Sequence, residues 1–330
     1  MPFLENCTYT PPWWAKNPHV QTILPLFTKH PKLKLCLERL ELHDGDFLDL
    51  HWLKKPKANQ TILVILHGLE GCSESHYIRR LFSQYYQLPP TVQQQFALVV
   101  HHHRGCSGEP NRLSRSYHSG DTEDIQSTLK HLKCHYPNSR LIAVGYSLGG
   151  NVLAKYLGEH QQQSLIQKAV IVSAPLSLAS CAKRLEKGFS TIYQRYLIRQ
   201  LQAKIRQKAL DPNISSAIPV MESEIHKLNT FYNFDNKVTA PLAGFSDASD
   251  YYKNASGLPF LSDISKPTLI IHAQDDPFMT ASVVPSETEL SEFVNYELQQ
   301  YGGHVGFIDG GWPWKPNYYL EKRVFDFLQS

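Results

Sequence analysis

Short apolar runs recur along this chain and are separated by amphipathic stretches. Residues 61–66, 97–101, 141–144, 169–172, 267–272 and 294–298 are almost uninterrupted in apolar character. Runs of that length without alternation predict strands buried on both faces, as in a parallel sheet. Two earlier runs, 35–42 and 47–53, alternate instead, and His43-Asp44-Gly45-Asp46 joins them. Asp-Gly between alternating segments predicts a hairpin. Residues 74–86 and 120–135 carry helical spacing; the second has Ile125, Leu129 and Leu132 on one face and Ser119 or Asp121 as N-cap. Further helices are expected from Leu148 onward and over 318–328. Strands alternating with helices predict an α/β fold with a mainly parallel central sheet and helices on both faces.

Two stretches break this rhythm. Residues 1–30 look irregular, yet Trp13, Trp14, Val20, Ile23, Leu24 and Phe27 are too apolar to stay in water, so an arm packed on the domain is expected. Residues 177 to about 257 hold no buried strand and predict an inserted helical cap within a single domain spanning 1–330. The first half of that insertion carries Lys183, Arg184, Lys187, Arg195, Arg199, Lys204, Arg206 and Lys208 against one acid, Glu186. Two readings stay open for this basic face: a solvated surface, or one attracted to anionic substrates or a membrane surface. Phe189, Ile192, Tyr196 and Leu197, interleaved with it, either line an acyl pocket or pack onto the domain.

Composition narrows the class. The 330 residues are 42% hydrophobic and 19% charged, with a formal net charge of +3, which is too small and dispersed for nucleic-acid binding. Six cysteines lie far apart without a C-x-x-C pair, which argues against zinc and redox motifs and suits a reducing cytoplasm. No basic n-region precedes an apolar core, and no run approaches the ~20 apolar residues of a membrane helix. A soluble, cytoplasmic protein is expected.

The candidate chemistry centres on Gly145-Tyr146-Ser147-Leu148-Gly149. A serine between two glycines, after a buried strand and before a helix, is the pattern of a nucleophile elbow. A serine hydroxyl needs a base, and the base an orienting acid; in this architecture the chain order is Ser, acid, His. Strand 267–272 leads into Gln274-Asp275-Asp276-Pro277, where Asp276, four residues beyond His272 as is common in this architecture, is preferred as the acid and Asp275 as a turn cap; either can also serve only to form the turn. His304 follows the last strand among small residues, in Gly302-Gly303-His304-Val305-Gly306, and is the candidate base. The competing cluster His101-His102-His103 alternates sides at a strand end, so it does not converge as metal ligands and reads as structural. An oxyanion hole requires two N–H donors; Leu148, after the nucleophile, and Leu69, in His67-Gly68-Leu69-Glu70-Gly71, are expected to supply them. Such a site needs neither cofactor nor metal.

Taken together, these motifs resemble the YheT-like branch of the α/β-hydrolases, bacterial esterases related to eukaryotic abhydrolase-domain lipases. Arg104-Gly105-Cys106-Ser107-Gly108, Tyr117-His118-Ser119-Gly120, Phe231-Tyr232-Asn233-Phe234-Asp235 and the early Asn17-Pro18-His19-Val20-Gln21-Thr22 fit its patterns too. The resemblance implies a triad of Ser147, Asp276 and His304 and carboxylic-ester hydrolysis; a small-molecule ester is the expected substrate, a lipid-like one among the candidates. Acyl transfer from the same acyl-enzyme, or a catalytically silent ligand-binding fold, are the other readings.

Overall fold

A computed structural model describes residues 3, 9–28, 31, 33–57 and 59–330. Eight strands form the central sheet: β1 (Cys36–Glu41), β2 (Phe47–Trp52), β3 (Thr61–Leu66), β4 (Phe96–His101), β5 (Leu141–Tyr146), β6 (Ile166–Val172), β7 (Thr268–Ala273) and β8 (Val294–Gln299). Their spatial order is β1-β2-β4-β3-β5-β6-β7-β8. The β1–β2 hairpin turns at Gly45, whose φ of +86° suits the residue that carries no Cβ. Strand β2 is antiparallel to β4, and every pairing from β4 through β8 is parallel. Alternation along β3 sends Ile62, Val64 and Leu66 into one core and Leu63 and Ile65 into the other.

Helices cover both faces. The helices are α1 (Pro18–Phe27), α2 (His76–Gln87), α3 (Pro90–Gln93), α4 (Thr122–His135) and α5 (Leu148–His160). They continue with α6 (Leu178–Leu185), α7 (Ser190–Ala209), α8 (Phe231–Phe234), α9 (Ala240–Leu242), α10 (Ala248–Ala255) and α11 (Tyr319–Gln329). On one face α4 contributes Ile125, Leu129 and Leu132, and α5 contributes Val152, Leu153 and Tyr156. On the other, α2 packs through Ile78, Leu81 and Phe82, and α11 through Leu320, Val324 and Phe325. Between β6 and β7 the chain is helical, α6 through α10 with short 3-10 and π turns, and it builds small apolar clusters of its own. Among the described residues no helix is long and apolar enough to cross a membrane.

One expectation needs correction, and one element was not foreseen. The arm at 1–30 is not irregular throughout: α1 starts at Pro18, its first turn capped by the Asn17 side chain, which accepts from the N–H groups of His19 and Val20. Pro25 inside that helix conceals it in the sequence, since a mid-helix proline usually signals a break. Residues 1, 2, 4–8 and 29–30 of the arm lie outside the described residues. The unforeseen element is the two-stranded pair β9 (Ile308–Trp312) and β10 (Lys315–Tyr318), which precedes α11.

Candidate active site

Ser147 follows the last residue of β5 and opens α5, with φ 51° and ψ −120°. A positive φ at a non-glycine residue is strained by roughly 1–3 kcal/mol and is held by its surroundings. Here the Ser147 N–H donates to Val172 O at 2.8 Å, and Ser147 O accepts from Gly150 N–H at 2.9 Å. The first turn of α5 lies hard against the loop after β3: a Cβ on Gly149 would come within 2.5 Å of His67 O. That loop passes beside the serine, since a Cβ on Gly68 would lie 3.2 Å from Ser147 Cβ.

Asp276 lies just beyond β7 and His304 just beyond β8, at the same edge of the parallel sheet as Ser147 and Leu69, so four separate strand ends converge. His304 Nδ1–H donates to Asp276 Oδ2 at 2.8 Å, and Ser147 Oγ lies 3.0 Å from His304 Nε2. Asp276 is buried, and its Oδ1 accepts from Phe278 N–H at 2.8 Å. The Phe278 ring stacks on the imidazole at 4.0 Å and 15°, fixing its plane. Of the two adjacent acids, the structure brings Asp276 to the imidazole. Asp275 has a different partner: its Oδ1 accepts from Gly303 N–H at 2.9 Å, so it fastens the loop that carries His304. Burial pushes the Asp275 carboxyl up to about 6.

The N-terminal segment supports this same loop, a role the sequence did not disclose. Thr22 Oγ1 accepts from His304 N–H at 2.9 Å, and Gln21 Oε1 accepts from Ile308 N–H at 2.7 Å. Helix α1 approaches so closely that a Cβ on Gly306 would sit 2.1 Å from Gln21 O, so only glycine fits there. The pair Asn17-Pro18, a capping residue followed by proline at the first helical position, was the available signal for α1.

Leu148 N–H is the first of α5 and has no intrahelical acceptor. Around Leu69, Gly68 N–H donates to Tyr77 OH and Glu70 N–H to Tyr117 OH, each at 2.9 Å, whereas Leu69 N–H has no acceptor among the described residues. Leu69 and Leu148 both line the pocket over Ser147 and His304.

The histidine cluster at the end of β4 is committed elsewhere. His101 Nδ1 bonds Thr128 Oγ1 at 2.9 Å, His102 Nε2 accepts from Ser73 N–H at 3.1 Å, and His103 Nε2 lies 3.2 Å from His67 O. Burial holds His103 down at about 4 and His102 at about 3, so both rings are neutral at physiological pH. Among the described residues no group of three His, Cys, Asp or Glu side chains is placed to hold a metal ion.

Much of the remaining pocket wall comes from the helices between β6 and β7, with Leu178, Leu185, Leu197 and Leu201 among its apolar residues; Tyr117, His118 and Ser119 before α4 and Met279 beyond β7 add to it. Of Phe189, Ile192, Tyr196 and Leu197, only Leu197 reaches the pocket; the Phe189 ring packs on His19 of α1 at 4.2 Å, and Ile192 and Tyr196 face outward, 50% and 64% exposed. Helix α7 is rotated this way because Ser190 Oγ donates to Pro277 O at 2.6 Å and Tyr193 stacks on Phe278 at 4.9 Å. The basic residues divide as well. Lys204 pairs with Glu70 at 2.9 Å, and buried Lys208 donates to the carbonyls of Leu113, Ser114 and Arg115. Lys183, Lys187, Arg195 and Arg199 remain exposed.

A parallel sheet with this elbow and these strand-end residues defines a recognisable class. Residues 61–311 match the family model described as alpha/beta hydrolase fold, and the chain belongs to that family. Within it, the sequence is 43% identical over 332 residues to Putative esterase YheT of Escherichia coli (strain K12), covering 99% of this chain and 95% of that protein. Phospholipase ABHD3 of Homo sapiens is 27% identical, over 98% of this chain and 79% of its own. Among solved structures, the Pyrococcus furiosus esterase Pf2001 shares the fold with a TM-score of 0.56 at 17% identity, over 99% of this chain and 98% of that one.

Proposed function

We propose that this chain is a serine carboxylic-ester hydrolase acting through an acyl-enzyme on Ser147, with residues 177 to about 257 serving as a cap within a single domain. The observation that carries the reading is the continuous hydrogen-bonded line from Asp276 through His304 to Ser147, at 2.8 and 3.0 Å. Relatives named as an esterase and a phospholipase support a hydrolase.

In this reading Ser147 Oγ attacks the ester carbonyl while its proton passes to His304 Nε2. Asp276 accepts from Nδ1–H throughout, keeping Nε2 free as the base and stabilising the imidazolium that forms. Leu69 and Leu148 N–H groups receive the oxyanion, where preorganised donors act most strongly. Collapse expels the alcohol, protonated by His304, and water then repeats the sequence to release the acid. The leucine-lined pocket favours an apolar acyl chain on a small-molecule ester.

Replacing Ser147 by alanine removes one partly exposed oxygen and should leave the fold intact. Turnover of a p-nitrophenyl ester should fall on the order of 10³-fold or more in kcat, with circular dichroism unchanged. Retention of most of the activity would overturn the assignment.

A further inference from the structure

Asp235 is the only Asp, Glu, Lys or Arg among the described residues lining the pocket over Ser147. It is buried and begins the π-helical turn Asp235–Thr239 that follows α8. Such turns are rare and occur often at functional sites. Its Oδ2 accepts from Tyr252 OH at 2.8 Å and its Oδ1 from Thr239 Oγ1–H at 2.7 Å. Each oxygen keeps capacity for a further donor.

No cation among the described residues compensates this carboxylate. Lys204 is held by Glu70, and Lys208 by backbone carbonyls of residues 113–115. His118, in the same pocket, is kept neutral because burial holds it down at about 3. Burial pushes Asp235 up to about 6, so it is ionised above neutrality at a cost to the fold. An ionised side chain buried without a countercharge is expensive, and its presence in a binding pocket points to a charge supplied by the ligand.

The surroundings fit one kind of ligand. Phe231, Tyr251, Tyr252 and Tyr117 line the same pocket, so it is walled by aromatic rings as well as by the acid. Rings with a carboxylate suit an organic ammonium, which gains cation–π contact from the rings and neutralises the acid. A hydroxyl-bearing ligand would offer hydrogen bonds but leave the buried charge uncompensated. We propose that Asp235 and these rings form a subsite for an ammonium group carried by the ester substrate. This rests on the reading of Ser147 as an esterase nucleophile, and it names the substrate class of that site.

The test compares butyrylcholine with 3,3-dimethylbutyl butyrate, in which carbon replaces the charged nitrogen at equal shape. At pH 8 the cationic ester should have a kcat/KM about tenfold or more higher, in keeping with a desolvated cation–π contact. Asp235→Asn keeps the side-chain shape and should bring the two esters to within about twofold. A wild-type ratio near one, or a ratio that survives in the variant, would overturn the subsite. A second arm needs no turnover. Choline should raise the melting temperature of the Ser147→Ala protein beyond the effect of equal sodium chloride, and adding Asp235→Asn should abolish that increment. A choline shift without ester turnover would refute the esterase reading and leave the subsite standing. Turnover with no ratio and no shift would refute the subsite alone.

Discussion

The sheet edge that carries Ser147, Asp276 and His304 differs in construction from the helical segment between β6 and β7 that faces it across the pocket. At the sheet edge the loop that carries His304 is held by hydrogen bonds to other strand ends and to α1. Asp275 fastens Gly303, Thr22 receives His304 N–H, and Ser173 Oγ accepts from Val305 N–H at 3.2 Å. The helical segment packs mainly on itself, in two clusters around Tyr251 and Ile225 that are separate from the large cores. It is tied down at a few points. Ser190 meets Pro277, Lys208 meets residues 113–115, and Asn151 of α5 bonds Ala255 O and Gly257 N–H, each at 2.8 Å. Catalytic geometry tolerates little displacement, so it belongs on the rigid sheet, whereas a segment with its own small cores can vary its lining without disturbing the reacting atoms.

Substitutions on the two sides should therefore fail differently. The largest loss is expected at the sheet edge. Asp276→Asn leaves the imidazole in the wrong tautomer, a change that costs about 10⁴-fold in a serine protease, and kcat should drop comparably here. Asp275→Asn should cost far less, because asparagine can still accept from Gly303 N–H; steady-state kinetics giving the reverse ranking would move the acid to Asp275. Across the pocket, Leu197→Ala and Leu201→Ala should reshape the acyl-length profile, by about 1–3 kcal/mol per lost methylene contact at most, and change short esters less. The outward pair Ile192→Ala and Tyr196→Ala should leave that profile within about twofold, read from a p-nitrophenyl ester series. If the outward pair shifts it instead, the observed rotation of α7 is wrong.

A smaller, pH-dependent effect should appear in stability. The folded-state pKa of Asp235 is raised to about 6 from an ordinary 3.8, so its contribution to stability is fully present below about 4 and is lost as pH rises through 6. Asp235→Asn should then raise the melting temperature by a few degrees at pH 8, and the gain should vanish near pH 4. An equal gain at both values would mean that the acid is not strained by its charge.

Much of the sheet was legible because parallel strands buried on both faces appear as plain apolar runs; residues 61–66 coincide with β3. The residues around Ser147 were legible because chain order and strand ends select them among many serines, aspartates and histidines. What stayed hidden follows physical causes. Helix α1 holds Pro25 in its interior, and its buttressing of Gly306 depends on a contact across nearly the whole chain. The β9–β10 pair contains Gly310, Gly311 and Pro316, which have low strand propensity. In α7 apolar and basic residues share every side, so periodicity alone could not choose between Leu197 and Tyr196 as the inward residue. Tertiary contacts at Pro277 and Phe278 decide it.

The central claim is that Ser147 forms the acyl-enzyme, and stoichiometric labelling tests it most directly. The intact protein is treated with a fluorophosphonate, then digested and mapped by mass spectrometry. One adduct per chain on the peptide containing Ser147, formed in step with the loss of ester turnover and absent from Ser147→Ala, is the predicted result. Full turnover without an adduct, or an adduct on another residue that tracks the inactivation, would contradict it.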